Sequence, residues 1–290
     1  MDTGEIRPAV GDTMTVEPSH EAGGALRKRE IEQAQLSQIV AEMPRWQRAM
    51  ALGGEKEVAV YLDLKSPHAY LAVRPTLELA VDFRVRLNFL PYTLSYTTLG
   101  VSKTVDADMQ RRPVDAAADR KARMYYTTAR QYAALQGLPF RAPYRLLDSE
   151  LANRCFLFAR TQHLEVPFVM QVFLEGWGSG WREYELESLA QLRATLSTIG
   201  ANVSGLESFL GPGGAAGEQL RLYAAEAEAS GCVGVPHYVL HDSAQGRELG
   251  LFGREHLALI RTKLADEGLA RRPDTTPGFS HAWTGPGPEA

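Results

Sequence analysis

Cysteine is scarce: a chain of 290 residues holds two, Cys155 and Cys232, and neither lies in a Cys-X-X-Cys context. That excludes a disulfide-stapled scaffold and a dithiol redox motif, and it places the protein in a reducing compartment, the cytoplasm. Excess charge is also missing. Lys and Arg number 31 against 35 Asp and Glu, a net charge of −4, so no basic field invites nucleic acid or an anionic membrane. No run approaches the ~18 consecutive apolar residues of a membrane span. The opening segment, MDTGEIRPAVGDTMTVEPSHEAGG, lacks the basic stretch and apolar core of a secretory signal.

What is present is an average globular composition, 44% apolar and 23% charged, ample for a real core. Residues 1–24, rich in Gly, Pro, Thr and acids, read as a disordered tail. Residues 25–55 read as a helical extension packed on the outside of the domain. Its stripe is Leu36, Ile39, Val40 and Met43, and Pro44 is expected to end or kink it. Residues 269–290, with abundant Pro and Gly, read as a second disordered tail.

Residues 56–268 alternate in period. Glu57–Leu62 predicts a strand, Ser66 to about Ala80 a helix and Phe83–Pro91 a second strand. A helical block follows, about 103–230, in which Met124, Tyr125, Tyr132 and Leu135 share one face. His237–His241 and Glu248–Phe252 predict two short strands, and Glu255–Ala265 a closing helix. The order β-α-β, helices, β-β-α is the thioredoxin-like arrangement with a helical insertion, an α/β fold of DsbA-like type.

Three stretches carry chemistry. In YLDLKSPHAY, residues 61–70, cysteine in place of Ser66 and Ala69 would make Cys-Pro-His-Cys, a redox motif at a strand-to-helix junction. Without those sulfurs the loop cannot exchange disulfides. Serine still suits an N-cap and proline the first helical residue, so the helix start offers free N–H groups and the positive dipole end to an anion, including a thiolate. In GCVGVPHYVL, residues 231–240, Val235-Pro236 precedes a strand where thioredoxin folds place a cis-proline. Its backbone would pair with an extended peptide. In LFGREHLALI, residues 251–260, Gly253 permits a tight turn, and Arg254 and Glu255 open the last helix.

Together these stretches resemble the branch of the DsbA-like thioredoxin superfamily that holds 2-hydroxychromene-2-carboxylate isomerase and the kappa-class glutathione transferases. DLKSPHAYLA, GVP at 234–236 and FGREHL occur in the family's order. QGLPFRAP at 136–143 and DSELANR at 148–154 resemble its middle landmarks. The resemblance implies a glutathione-dependent isomerase or transferase. Ser66 would be the catalytic residue that stabilises the glutathione thiolate, and Ser66, Pro67, Val235, Pro236, Arg254 and Glu255 would contact glutathione. It further implies a small hydrophobic or aromatic organic substrate, no metal, and a homodimer.

The chain departs from the family pattern at several positions. His68 stands where an aromatic is usual, Glu255 replaces Asp, His256 replaces the following Arg, and Asp148 replaces Asn. The changed 255–256 pair leaves open a non-catalytic protein that binds a peptide or partner across Val235-Pro236. His237 and His241, four apart in a predicted strand, are about 13 Å apart and do not share a metal. They read as surface or half-buried strand residues, GPGGAAGEQL at 211–220 as a linker, and Tyr70, Tyr125 and Tyr126 as core by default, with the lining of a hydrophobic substrate pocket as the alternative.

Overall fold

Strand β1 (Lys56–Leu62) runs in the middle of a four-stranded sheet of order β2-β1-β3-β4, formed with β2 (Val85–Pro91), β3 (His237–Asp242) and β4 (Arg247–Phe252). The protein is described by a computed structural model over residues 19–95, 116–276 and 278. The β1–β2 pair is parallel, because helix α2 (Pro67–Asp82) makes the crossover, whereas β1–β3 and β3–β4 are antiparallel. Val60 pairs with both Phe89 and Tyr238, so these three side chains share a face. That face packs on α2, where the Tyr238 hydroxyl meets Thr76 Oγ1 at 2.9 Å. After β4 comes a single 3-10 turn (Arg254–His256), and then α9 (Leu257–Asp266) closes the domain.

The insertion between β2 and β3 contains α3 (Ala116–Leu135), α4 (Glu150–Arg160), α5 (Glu165–Ser179), α6 (Leu189–Thr198), α7 (Leu206–Leu210) and α8 (Ala215–Ala229). The start of the expected insertion, residues 103–115, lies outside the described residues. The stripe read along α3 is not its buried face. Met124 and Leu135 are largely exposed, and Ala129 and Ala133 are fully buried instead. Small residues let α3 approach its neighbours closely, and periodicity that counts only large side chains misses such a face. The short α7 was not foreseen, since five residues carry no readable period.

The expected boundaries move at both ends. Helix α1 spans Ser19–Ala51, so residues 19–24 are helical and not a disordered tail; residues 1–18 lie outside the description. Nor does Pro44 end the helix. The residues just after it anchor the chain to α2: Glu78, 1% exposed, accepts from both the Arg45 guanidinium and the Trp46 indole N–H, the latter at 2.6 Å. Arg74 of α2 pairs with Glu42 at 2.8 Å. These bonds offset the one that proline removes. At the other end, residues 269–276 are held rather than loose. Arg271 donates from its amide to Asp82 O and from its side chain to the carbonyls of Ala80, Phe83 and Gly53. No helix among the described residues is long and apolar enough to cross a membrane.

His237 is a further correction, since it is 1% exposed, not a surface or half-buried residue. Its ring lies 6.0 Å from that of Tyr61 on the second face of the sheet. The Ser230 hydroxyl donates to Ala227 O, so the imidazole Nε2–H donates to Ser230 Oγ, 2.8 Å away.

Two outcomes are expected. Glu78→Ala strands the Arg45 charge and should cost about 3 kcal/mol or more, with faster proteolysis within α1 than in the wild type. Burial also lowers the His237 pKa to about 4, against ~6.5 in the unfolded chain. Between these values the unfolded chain binds the extra proton. This contribution to stability is therefore complete above the unfolded value and falls, by on the order of 3 kcal/mol, as pH drops toward the folded one. Urea midpoints across that window should fall less steeply for His237→Gln.

Candidate functional site

The chain leaves β1 at Leu62 and enters α2 through Asp63, Leu64 and Lys65. Ser66 is the N-cap in extended conformation, and its Oγ accepts from the Ala69 amide at 3.2 Å. Pro67 fills the first helical position, where no N–H is needed. The His68 amide makes no hydrogen bond among the described residues. The Ser66 hydroxyl proton and this amide thus remain as donors at the positive end of the helix.

Beneath the loop lies Asp63, fully buried. Its carboxylate accepts from the Leu94 amide at 2.7 Å and from the Lys65 amide and Asn153 Nδ2 at 3.3 Å each. The Lys65 ammonium stands 3.5 Å away and donates to Leu94 O. One carboxylate therefore ties together the loop after β1, the loop after β2 and helix α4.

The opposite wall comes from the other half of the sheet. The Val235-Pro236 peptide is cis, and the amide and carbonyl of Val235 make no hydrogen bond among the described residues. A Cβ on Gly234 would fall 2.7 Å from the Phe252 ring, so glycine here lets that ring lie close over the turn. Gly253 has φ +105°, and a Cβ on it would meet Glu255 Oε1 at 2.4 Å, so the Glu255 carboxylate lies folded back over this turn. Arg254 is 4% exposed, with its guanidinium carbon 4.0 Å above the Tyr132 ring of α3. Among the described residues, both terminal nitrogens are buried without a hydrogen-bond partner. Burial lowers its pKa below the usual guanidinium value, while Tyr132 and Glu255 oppose the shift.

These walls enclose one cleft with two chambers that share His68, Tyr125, Val235 and Phe252. The first holds Ser66 and Pro67 among apolar residues that include Leu94, Tyr126 and Leu146. The second holds Pro236, Arg254 and Glu255, with Met124 and Thr128 at its edge. All six residues singled out in the sequence are thus gathered on this cleft. His68 sits at the junction, its ring edge-to-face with Tyr125 at 6.0 Å and without a hydrogen-bond partner among the described residues. Its pKa is lowered by burial and then by the Arg254 charge, with Glu255 opposing.

Of the tyrosines assigned to the core, Tyr70 is there, donating to Pro139 O at 3.0 Å and stacked with Trp177. Tyr126 packs against the core, its ring 6.4 Å from that of Trp177, and also lines the cleft, whereas Tyr125 lines the cleft and is partly exposed. Asp63, Lys65, Asn153 and Tyr132 are not among the site residues singled out in the sequence, although Asp63 opens DLKSPHAYLA, Lys65 lies within it and Asn153 lies within DSELANR. The cysteines are free and buried. Burial pushes the Cys155 thiol up to about 12 and that of Cys232 to about 11. Among the described residues no cluster of His, Cys, Asp and Glu is placed to hold a metal ion.

A family model for the DSBA-like thioredoxin domain matches residues 57–265. Among solved structures, one of 2-hydroxychromene-2-carboxylate isomerase is 21% identical, with a TM-score of 0.57 over 73% of this chain and 96% of that one. A probable DsbA oxidoreductase from Streptomyces coelicolor is 16% identical, with a TM-score of 0.56 over 76% of this chain and 92% of that one. At these identities the likeness is one of fold. No curated protein matches the sequence.

The buried network under the loop is directly testable. Asp63→Ala removes the carboxylate that pairs with the Lys65 ammonium, and should lower the unfolding free energy by about 3–5 kcal/mol. Asp63→Asn keeps one of the two acceptor oxygens, the one for the Leu94 amide or the one for the Lys65 amide, and should cost less in the same urea titration.

Proposed function

The chain belongs to the DSBA-like thioredoxin domain family, and on that premise we propose that it is a glutathione-dependent isomerase, acting in the cytoplasm on a small hydrophobic or aromatic organic substrate. The observation that carries this reading is the run of unsatisfied groups along one cleft: the Ser66 helix start, the free backbone of Val235 and the buried guanidinium of Arg254. They match, in order, the thiol, the peptide backbone and the α-carboxylate of a γ-glutamyl tripeptide. Glu255, on the turn beside Arg254, complements the ammonium of the same amino-acid end. An unpaired buried guanidinium is costly, and a carboxylate ligand relieves that cost.

When bound, glutathione supplies a thiolate nucleophile for reversible addition to an activated double bond, and attack on another electrophile would make the same site a transferase. The protein's part is to bind and orient. The Ser66 hydroxyl and the His68 amide donate toward an anion at the helix start, and the dipole favours the deprotonated form. Pro67, Leu94, Tyr126, Leu146 and Phe252 exclude water and offer flat apolar surface to an organic substrate. Disulfide exchange through this loop would need a sulfur that Ser66 and Ala69 do not provide, and Cys155 and Cys232 are buried with raised pKa values.

Calorimetry with reduced glutathione, paired with thiolate absorbance, tests the reading. Wild type should bind and show thiolate near neutral pH. Ser66→Ala should lose about tenfold or more in affinity together with the thiolate signal, since a hydrogen bond to a charged acceptor contributes about 1.5–3 kcal/mol. Arg254→Met should lose a similar factor for glutathione but little for cysteinylglycine, which lacks the γ-glutamyl end. Failure of the wild type to bind at millimolar glutathione would overturn the enzyme reading in favour of a partner-binding protein.

A further inference from the structure

The His68 imidazole is a titratable cleft group to which the preceding reading gives no role. It stands two residues after Ser66 on the first turn of α2, it lines both chambers, and its ring nitrogens have no partner among the described residues. Edge-to-face contact with Tyr125 holds the ring at the junction. An aromatic residue would serve that packing equally well, so packing alone does not call for an imidazole.

Building on the glutathione reading, we propose that His68 is the base that receives the thiol proton when glutathione binds at the Ser66 helix start. The S–H bond breaks, its electron pair stays on sulfur, and a new N–H bond forms on the imidazole. The pair then carries no net charge change, and the proton stays in the chamber that the organic substrate enters. No external base is required and no proton reaches bulk water.

Several features support this assignment. Burial and the Arg254 charge keep the empty-site imidazole neutral and able to accept at physiological pH. The charged groups around the two chambers are Lys65 before α2, Lys121 on α3, and Arg254 and Glu255 on the last turn, with the phenols of Tyr125 and Tyr126. Lys65 is already engaged with Leu94 O and Asp63, and the other cations cannot accept a proton. Glu255 favours the protonated imidazole. Desolvation opposes it, and a thiolate partner offsets that opposition just as an adjacent charge does for other buried ion pairs.

The test is proton counting by calorimetry of glutathione binding in buffers of different ionisation enthalpy, alongside thiolate absorbance. Wild type should form thiolate near neutral pH while releasing almost no proton. His68→Phe, which keeps the edge contact with Tyr125, and His68→Gln, which keeps a polar side chain, should each release about one proton per thiolate formed and require a pH about one unit or more higher to form it. S-methylglutathione, which has no thiol proton, should bind wild type and both variants with equal proton balance. Thiolate formation in both variants at the wild-type pH, with the wild-type proton count, would overturn the role of His68 and leave the glutathione reading intact. Absence of glutathione binding by the wild type would overturn both.

Discussion

A single buried carboxylate organises the site. Asp63 has no access to water and satisfies itself on groups from three separate parts of the chain: the Lys65 amide and ammonium in its own loop, the Leu94 amide beyond β2, and the Asn153 side chain on α4. A charge in such a place is tolerated only when its partners are fixed. The consequence is geometric: the helix that begins at Ser66, the segment that carries Leu94 and the insertion are set relative to one another. The first chamber exists because these three walls cannot drift apart.

The opposite wall is built by backbone rather than charge. Gly253 adopts a φ of +105° that favours glycine, and Gly234 leaves room for the Phe252 ring. This leaves Val235 with its backbone unpaired in the cleft and Arg254 clamped beneath Tyr132 of α3. The cleft is therefore shared between the sheet, which presents polar groups at its rim, and the helical insertion, which presents tyrosines. That division suits a site where one half holds a constant peptide and the other accommodates a variable organic molecule.

Much of this could be read in the sequence, and what could not has a physical reason. Strands and principal helices are visible because their periods are local. Ser66-Pro67, Val235-Pro236 and Gly253-Arg254-Glu255 stand out because caps, turns and helix starts demand particular residues at particular positions. Asp63 and Lys65 lie within a recognised motif, yet their role is not legible there, since their partners come from residues 94 and 153 and only folding unites them. Tyr125 and Tyr126 were assigned to the core because an aromatic on a helix face looks the same whether it meets a neighbour or a cavity. His237 erred the other way, its burial decided by Tyr61 and by Ser230 at the end of α8. Residues after 268 looked unstructured by composition, yet Arg271 is held by three carbonyls whose positions composition does not encode.

The two cysteines acquire a different meaning in this setting. Cys155 is sealed inside α4, Cys232 donates to the Gly234 carbonyl, and burial keeps both as thiols rather than thiolates well above neutral pH. Attack on a disulfide requires the thiolate and an open approach. Among small thiols and their oxidised forms, both cysteines therefore resist mixed-disulfide formation and oxidation at sulfur. The chain can stand in a fluctuating redox buffer without its state recording the fluctuation.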